Sequence, residues 1–259
     1  MSYAEVNGVN LHYTEQGSGE PLVLLHGGLG STDMVAPLIP ALAEHRRVIA
    51  VDLQGHGRTA DVDRPIRYEL LADDVAALIK HLGLGQTDLM GYSFGGSTAL
   101  RTAIQYPEMV RRLVVVSIPF ARSGWYPEIL AAMGQMGPGS AEATKPSPLY
   151  RTYAAVAPRP EDWPLLHTKM GDLLTQEYDW SSEVAALDTP TLLAFADADS
   201  ISPAHMVEFW RLLGGGLRDA GWDAADRPAG QLAVLPGTTH YDVLQSPALL
   251  PAAIAFLTA

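Results

Sequence analysis

The chain has 259 residues, 47% of them hydrophobic and 18% charged, with a formal net charge of -12. Such a composition buries a sizeable core and excludes a disordered chain, and the length suits one large domain carrying an insertion. The acidic balance, with no basic stripe, argues against nucleic acid and anionic membrane surfaces as partners.

The absence of cysteine removes disulfides, thiolate nucleophiles and cysteine-bound metals, and leaves the redox compartment open. Residues 1–7 have neither a basic start nor an apolar run, and no segment reaches the ~20 apolar residues of a membrane span. A cytoplasmic protein is expected.

Residues 3–7 and 10–15 alternate in strand fashion around Asn7-Gly8, which predicts an opening antiparallel ribbon. Leu22-Val23-Leu24-Leu25 is a continuous apolar run, as for a strand covered on both faces, and it ends in His26-Gly27-Gly28-Leu29-Gly30-Ser31. A helix is expected over 37–44, a buried strand over 47–53 and a loop over 54–58. Leu71, Val75, Leu78 and Leu82 then form one apolar helix face.

In Thr87-Asp88-Leu89-Met90-Gly91-Tyr92-Ser93-Phe94-Gly95-Gly96-Ser97 a strand-like run gives way to a helix-like one, with a serine at the corner. A serine on so sharp a turn needs neighbours without bulk two positions away, which Gly91 and Gly95 supply. Its hydroxyl would stand above a helix N-terminus that favours a developing oxyanion. The same string also fits a helix N-cap after a glycine turn.

The helix should stop at Tyr106-Pro107, with a buried strand over 113–116. Alternating strands and helices imply an α/β fold, a mostly parallel sheet of about eight strands flanked by helices. Across 119–187 the rhythm breaks into prolines, methionines and aromatics that include Trp125, Tyr126, Trp163, Tyr178 and Trp180. This stretch is expected to be a helical cap inserted into a core of 1–118 and 188–259. Its aromatics serve either its own core or a substrate. Strands over 191–196 and 232–235, helices over 204–213 and 246–257, and a glycine-rich loop over 214–230 complete the chain.

A serine hydroxyl is a weak nucleophile unless a histidine takes its proton and a carboxylate orients that histidine. Two late loops offer partners, Asp197-Ala198-Asp199-Ser200 after one strand and Pro236-Gly237-Thr238-Thr239-His240 after the last. In a parallel sheet these loops share the rim on which Ser93 stands.

With these motifs in this order, the chain resembles the α/β-hydrolase fold superfamily over nearly its full length. His26-Gly27-Gly28 resembles the family's oxyanion loop, residues 52–58 the loop after its next strand, and Gly91-Tyr92-Ser93-Phe94-Gly95 its nucleophile elbow. The resemblance implies Ser93 as nucleophile, His240 as base and then acid, Asp199 as orienting carboxylate, and the amides of Gly28 and Phe94 as oxyanion hole. Asp197 is a rival acid, at a place where the family more often has a helper carboxylate. Some relatives carry the acid after the strand that here ends near Val116, but Ser117-Ile118-Pro119 offers none.

His26 and His56 are expected to bond loop backbone, and the other histidines to be ordinary surface or core residues. No metal and no organic cofactor is expected, since no H-E-x-x-H pattern occurs and Asp33 breaks the glycine spacing of a dinucleotide site. Serine at the elbow, where haloalkane dehalogenases and epoxide hydrolases of this fold use aspartate, favours acyl transfer.

The expectation is a serine hydrolase acting on small-molecule carboxylic esters or lactones, in the esterase, enol-lactonase or cofactor-free perhydrolase branch. The alternatives are a perhydrolase using the same triad and a ligand-binding member with little turnover. Leu29, Tyr92, Trp125, Tyr126 and Trp163 are the candidates for substrate contact. The sequence sets no oligomeric state.

Overall fold

The computed structural model describes residues 2–259. Among them, eight strands form one sheet in the order β1-β2-β4-β3-β5-β6-β7-β8. β1 (Ser2–Val6) and β2 (Val9–Gln16) are the antiparallel ribbon. Asn7 and Gly8 join them at φ of 49° and 77°, a left-handed turn whose twist matches that of the strands. β2 also pairs antiparallel with β4 (Arg47–Val51). From there β3 (Pro21–Leu25), β5 (Thr87–Tyr92), β6 (Val110–Val116), β7 (Thr191–Ala198) and β8 (Gly230–Thr239) all run parallel.

The helices lie on both faces. On one, α3 (Tyr68–His81), α4 (Phe94–Gln105) and α10 (Pro203–Leu212) cover a core that contains Val23, Leu25, Leu89 and Val115. On the other, the short α1 (Thr32–Val35) and α2 (Ile39–Ala43) and the terminal α11 (Leu249–Thr258) cover Leu22, Leu24, Met90 and Val116. Adjacent residues of one strand serve opposite cores, which is why these strands read as continuous apolar runs. Between β6 and β7 the chain passes through α5 (Pro127–Met133), α6 (Pro138–Thr144), α7 (Pro148–Val156), α8 (Trp163–Leu174) and α9 (Ser181–Ala185).

Several boundaries differ from expectation. The helix over 37–44 is split, because Pro37 and Pro40 withhold amides from the ladder; a 3-10 turn at Ala36–Leu38 precedes α2. β8 runs well beyond Leu235, because its pairing with β7 resumes at Ala198 and Thr239 after a slip in register. α11 starts at Leu249 rather than at 246, since a 3-10 turn at Val243–Gln245 takes up the preceding residues. The glycine-rich stretch has no regular element up to Gly230, where β8 begins.

Two buried carboxylates fix the frame. Asp88 lies where the pairing of β5 with β6 slips. It accepts hydrogen bonds from Arg111 at 2.8 and 2.9 Å and from Arg46 at 3.0 Å. Asp52, just after β4, accepts from the Thr32 amide at 2.5 Å, and from His12 Nδ1 and the Arg58 amide at 2.9 Å each. Burial alone would raise the Asp52 pKa, yet the His12 bond, the nearby His26 and the two amides bring it down to about 2.

Buried histidines tie the remaining loops. His26 bonds the Gly27 carbonyl at 2.7 Å and accepts from the Leu53 amide at 3.1 Å, and His56 donates to the Gln54 carbonyl at 2.9 Å. Burial, helped by the neighbouring His26, pushes His56 down from 6.5 to about 3. Burial likewise pushes His205 down to about 4.

Two outcomes follow. Asp88→Ala removes the shared acceptor of two guanidinium groups, leaving buried Arg46 with backbone carbonyls alone and Arg111 with Glu20, and should cost about 3 to 5 kcal/mol in urea unfolding at pH 7. Because His56 titrates lower in the folded than in the unfolded chain, its stabilisation is complete above pH 6.5 and is lost as pH falls toward 3. Each pH unit in that window costs up to about 1.4 kcal/mol, and His56→Asn, which keeps a donor for Gln54, should flatten the slope by about one proton. An unchanged slope between pH 6 and 4.5 would remove His56 as its source.

Candidate active site

β5 ends at Tyr92, and Ser93 follows at φ 50° and ψ -120° before α4 begins at Phe94. The turn is held from both sides, since the Ser93 amide donates to the Val116 carbonyl at 2.9 Å and its own carbonyl accepts from Ser97 at 2.9 Å. A Cβ at position 91 would stand 2.2 Å from the Gly95 carbonyl oxygen, and one at 95 would stand 2.4 Å from that of His26. Any larger residue at either position collides with backbone, so strand, turn and helix close up only around glycine.

His240 immediately follows β8, and its Nε2 lies 3.1 Å from Ser93 Oγ. On its far side Nδ1 lies 3.0 Å from Asp199 Oδ1. An ionised carboxylate only accepts, so Nδ1 carries the proton and Nε2 keeps a lone pair toward the serine. Asp199 and His240 are each 8% exposed, so both bonds are largely sheltered from water. The Tyr92 hydroxyl donates to the His240 carbonyl at 2.7 Å. Asp242, accepting from the Thr239 amide at 2.6 Å, closes the turn around the imidazole.

Asp199, the residue favoured over Asp197, meets the histidine. Asp197 instead accepts from the Thr238 amide at 3.1 Å and braces the histidine's loop from outside. Gly28 lies beside Phe94: a Cβ at 28 would stand 3.6 Å from that of Phe94 and 3.2 Å from the Met170 methyl. As the first residue of α4, Phe94 has an amide with no acceptor within the helix. Leu29 next to it takes φ 58°, which turns the loop sharply after Gly28.

The five candidates for substrate contact divide. Trp125 sets its ring edge-on to His240 with centroids 5.4 Å apart, and its backbone pairs with Ile201. Tyr126 follows it, its amide bonded to the Ser200 carbonyl at 3.1 Å. Leu29 lines a cleft of about 280 Å³ with Met34, Leu149 and Tyr153. Tyr92 is taken up by the His240 carbonyl and the core beneath it. Trp163 is fully buried, with its indole donating to the Ala141 carbonyl at 3.1 Å and its ring tilted against Tyr150 and Tyr153 and edge-on to His167. It fills the space between α6, α7 and α8, the position of a core residue of these helices.

Two neighbours of the site carried no signal in the sequence. Met170 of α8 is 2% exposed and closes over Gly28, and Ser117 donates to Asp199 Oδ2 at 2.5 Å. Nearby, Lys169 fastens α8 to the loop after β4 through Asp61 Oδ2 at 2.5 Å and the carbonyls of Val62 and Arg64 at 2.7 Å. Among the described residues no three His, Asp or Glu side chains converge as metal ligands, and no helix is long and apolar enough to cross a membrane.

The alpha/beta hydrolase fold family model matches residues 20–155. The chain is 34% identical over 211 residues to the serine hydrolase BPHL of Mus musculus, covering 79% of this chain and 72% of that protein. It is 40% identical over 118 residues to a soluble epoxide hydrolase of a Corynebacterium species, covering 44% of this chain. The match spans 40% of that relative, and a match to an esterase/lipase of Haemophilus influenzae spans 37% of that protein, so the chain spans about two fifths of the length of these curated relatives. Among solved structures, E-2-(acetamidomethylene)succinate hydrolase superposes with a TM-score of 0.77 at 24% identity, over 100% of this chain and 98% of the other. The family model, the extended match to a serine hydrolase and the shared architecture place this chain in the α/β-hydrolase fold family.

Proposed function

We propose that the protein is a serine hydrolase that cleaves carboxylic esters, lactones among them, through an acyl-enzyme on Ser93. The observation that carries this reading is the unbroken line from Ser93 Oγ to His240 Nε2 at 3.1 Å and from His240 Nδ1 to Asp199 Oδ1 at 3.0 Å. A positioned serine and a base oriented by a carboxylate are the parts that nucleophilic acyl transfer requires.

In this mechanism Ser93 Oγ attacks the ester carbonyl as its proton passes to His240 Nε2, and the ionised Asp199 stabilises the imidazolium. The carbonyl oxygen becomes an oxyanion held by the amides of Gly28 and Phe94, where α4 contributes the positive end of its dipole. His240 then protonates the departing alkoxide oxygen. Water, deprotonated by the same nitrogen, attacks the acyl-enzyme and releases the acid, and the proton returns to Ser93. A lactone opens by the same steps with the alcohol still tethered.

The residues around the oxyanion loop favour a small, largely apolar acyl group. Gly28 has no side chain, while Met170, Phe94 and Leu29 present apolar surface beside it. Residues 119–187 are the proposed cap, since this insertion supplies Met170, Trp125 and the Lys169 tether.

With a short-chain p-nitrophenyl ester, the wild-type protein should release a burst of nitrophenol, and Ser93→Ala should lose it with a fall in kcat of about a millionfold. Labelling by a fluorophosphonate at any residue other than Ser93, or at none, would sink the assignment. Met170→Ala should lower stability by about 2 to 5 kcal/mol. It should also raise the preference for hexanoate over acetate esters about tenfold in kcat/KM, and an unchanged preference would show that Met170 does not bound the acyl group.

A further inference from the structure

Ser117 is the first residue beyond β6, with its side chain fully buried and its backbone at φ 54°. Glycine would adopt that conformation at lower cost, so a serine here points to a use for its hydroxyl. Among the described residues, the polar partner of that hydroxyl is Asp199 Oδ2, at 2.5 Å. The backbone around it is fixed, since the Ser117 amide donates to the Ala194 carbonyl at 2.8 Å and the preceding Val116 carbonyl holds the Ser93 amide at 2.9 Å.

The Asp199 carboxylate accepts four hydrogen bonds. Oδ1 takes the Ser200 amide at 2.8 Å and His240 Nδ1 at 3.0 Å, and Oδ2 takes the Ala196 amide at 3.0 Å and the Ser117 hydroxyl. Three of these donors come from the β7 side or from the histidine, whereas Ser117 alone reaches across from β6. It therefore closes the ring of donors and fixes the carboxylate plane in line with the imidazole. Without it Oδ2 keeps a single amide, and a buried charged oxygen left short of donors rotates to find another.

We infer that Ser117 is a positioning residue for the acyl transfer proposed above, its hydroxyl holding Asp199 in the plane that orients His240 toward Ser93. This rests on the assignment of Ser93, His240 and Asp199 made there. It adds a fourth side chain, from the strand between those that carry the serine and the acid.

The test uses the full chain and a short-chain p-nitrophenyl ester. Ser117→Ala and Ser117→Gly should each lose about 10- to 100-fold in kcat, with KM within about twofold of wild type. Ser117→Thr, which keeps a hydroxyl but strains a β-branched residue at positive φ, should recover most of the rate despite a lower melting temperature. If activity instead tracked stability across the three variants, a purely structural role would be established.

Proton NMR gives a second readout. The far-downfield Nδ1 proton shared by His240 and Asp199 should be present in wild type and Ser117→Thr, and broadened or moved upfield in Ser117→Ala and Ser117→Gly. A Ser117→Gly protein with wild-type kcat and an unmoved proton overturns the inference. Ser93→Ala, run alongside, should keep the proton and lose turnover. Should it turn over normally, the nucleophile assignment falls, while the proton signal still decides what Ser117 does to the pair.

Discussion

The hydrogen bond from His240 Nδ1 to Asp199 settles which nitrogen of the imidazole is left for Ser93, and much of the domain serves to hold that bond in place. The two residues are 41 positions apart and leave the ends of β7 and β8, adjacent parallel strands whose register brings Ala198 opposite Thr239. The serine arrives from β5, two strands away, and β6 between them supports both sides. It gives the Val116 carbonyl to the Ser93 amide and the Ser117 hydroxyl to Asp199. A parallel sheet is well suited to this, because each crossover returns the chain to the same rim and leaves side chains there on rigid strand ends.

What the sequence disclosed depended on whether a steric demand had been written as a residue type. The elbow was legible because Gly91 and Gly95 face backbone oxygens at distances no Cβ tolerates. The strands were legible because burial on both faces leaves no polar alternation. Asp199 and His240, which the structure brings into contact, are singled out in the sequence by resemblance in the order of motifs, as the spacing alone leaves two late loops open. Ser117 carries no carboxylate, so nothing in the sequence marks it as a partner of the histidine. Its signal is a backbone angle and a hydroxyl facing inward, and neither can be seen in a string of letters.

The helical stretch between β6 and β7 is the least legible part. Its aromatic residues were candidates either for its own interior or for a substrate, and Trp163 belongs to the interior while Trp125 stands against His240. Periodicity does not separate the two, since a short amphipathic helix buries one face whichever surface it meets. The end of the terminal strand is hidden in the sequence for a related reason. Pro236-Gly237 looks like a stop, yet the ladder skips past it and resumes.

Asp52 binds the amide of Thr32, the first residue of α1, and that of Arg58 in the loop after β4, and Thr32 lies four residues after Gly28. The bend that presents the Gly28 amide is thus moored to a carboxylate that takes no part in the proposed chemistry. An ion kept charged in the interior acts here as a fastening for a neighbouring loop. Under the proposed function, acyl selectivity can change through residues in 119–187 while that mooring stays intact, so new specificities need not disturb the groove in which the oxyanion would rest.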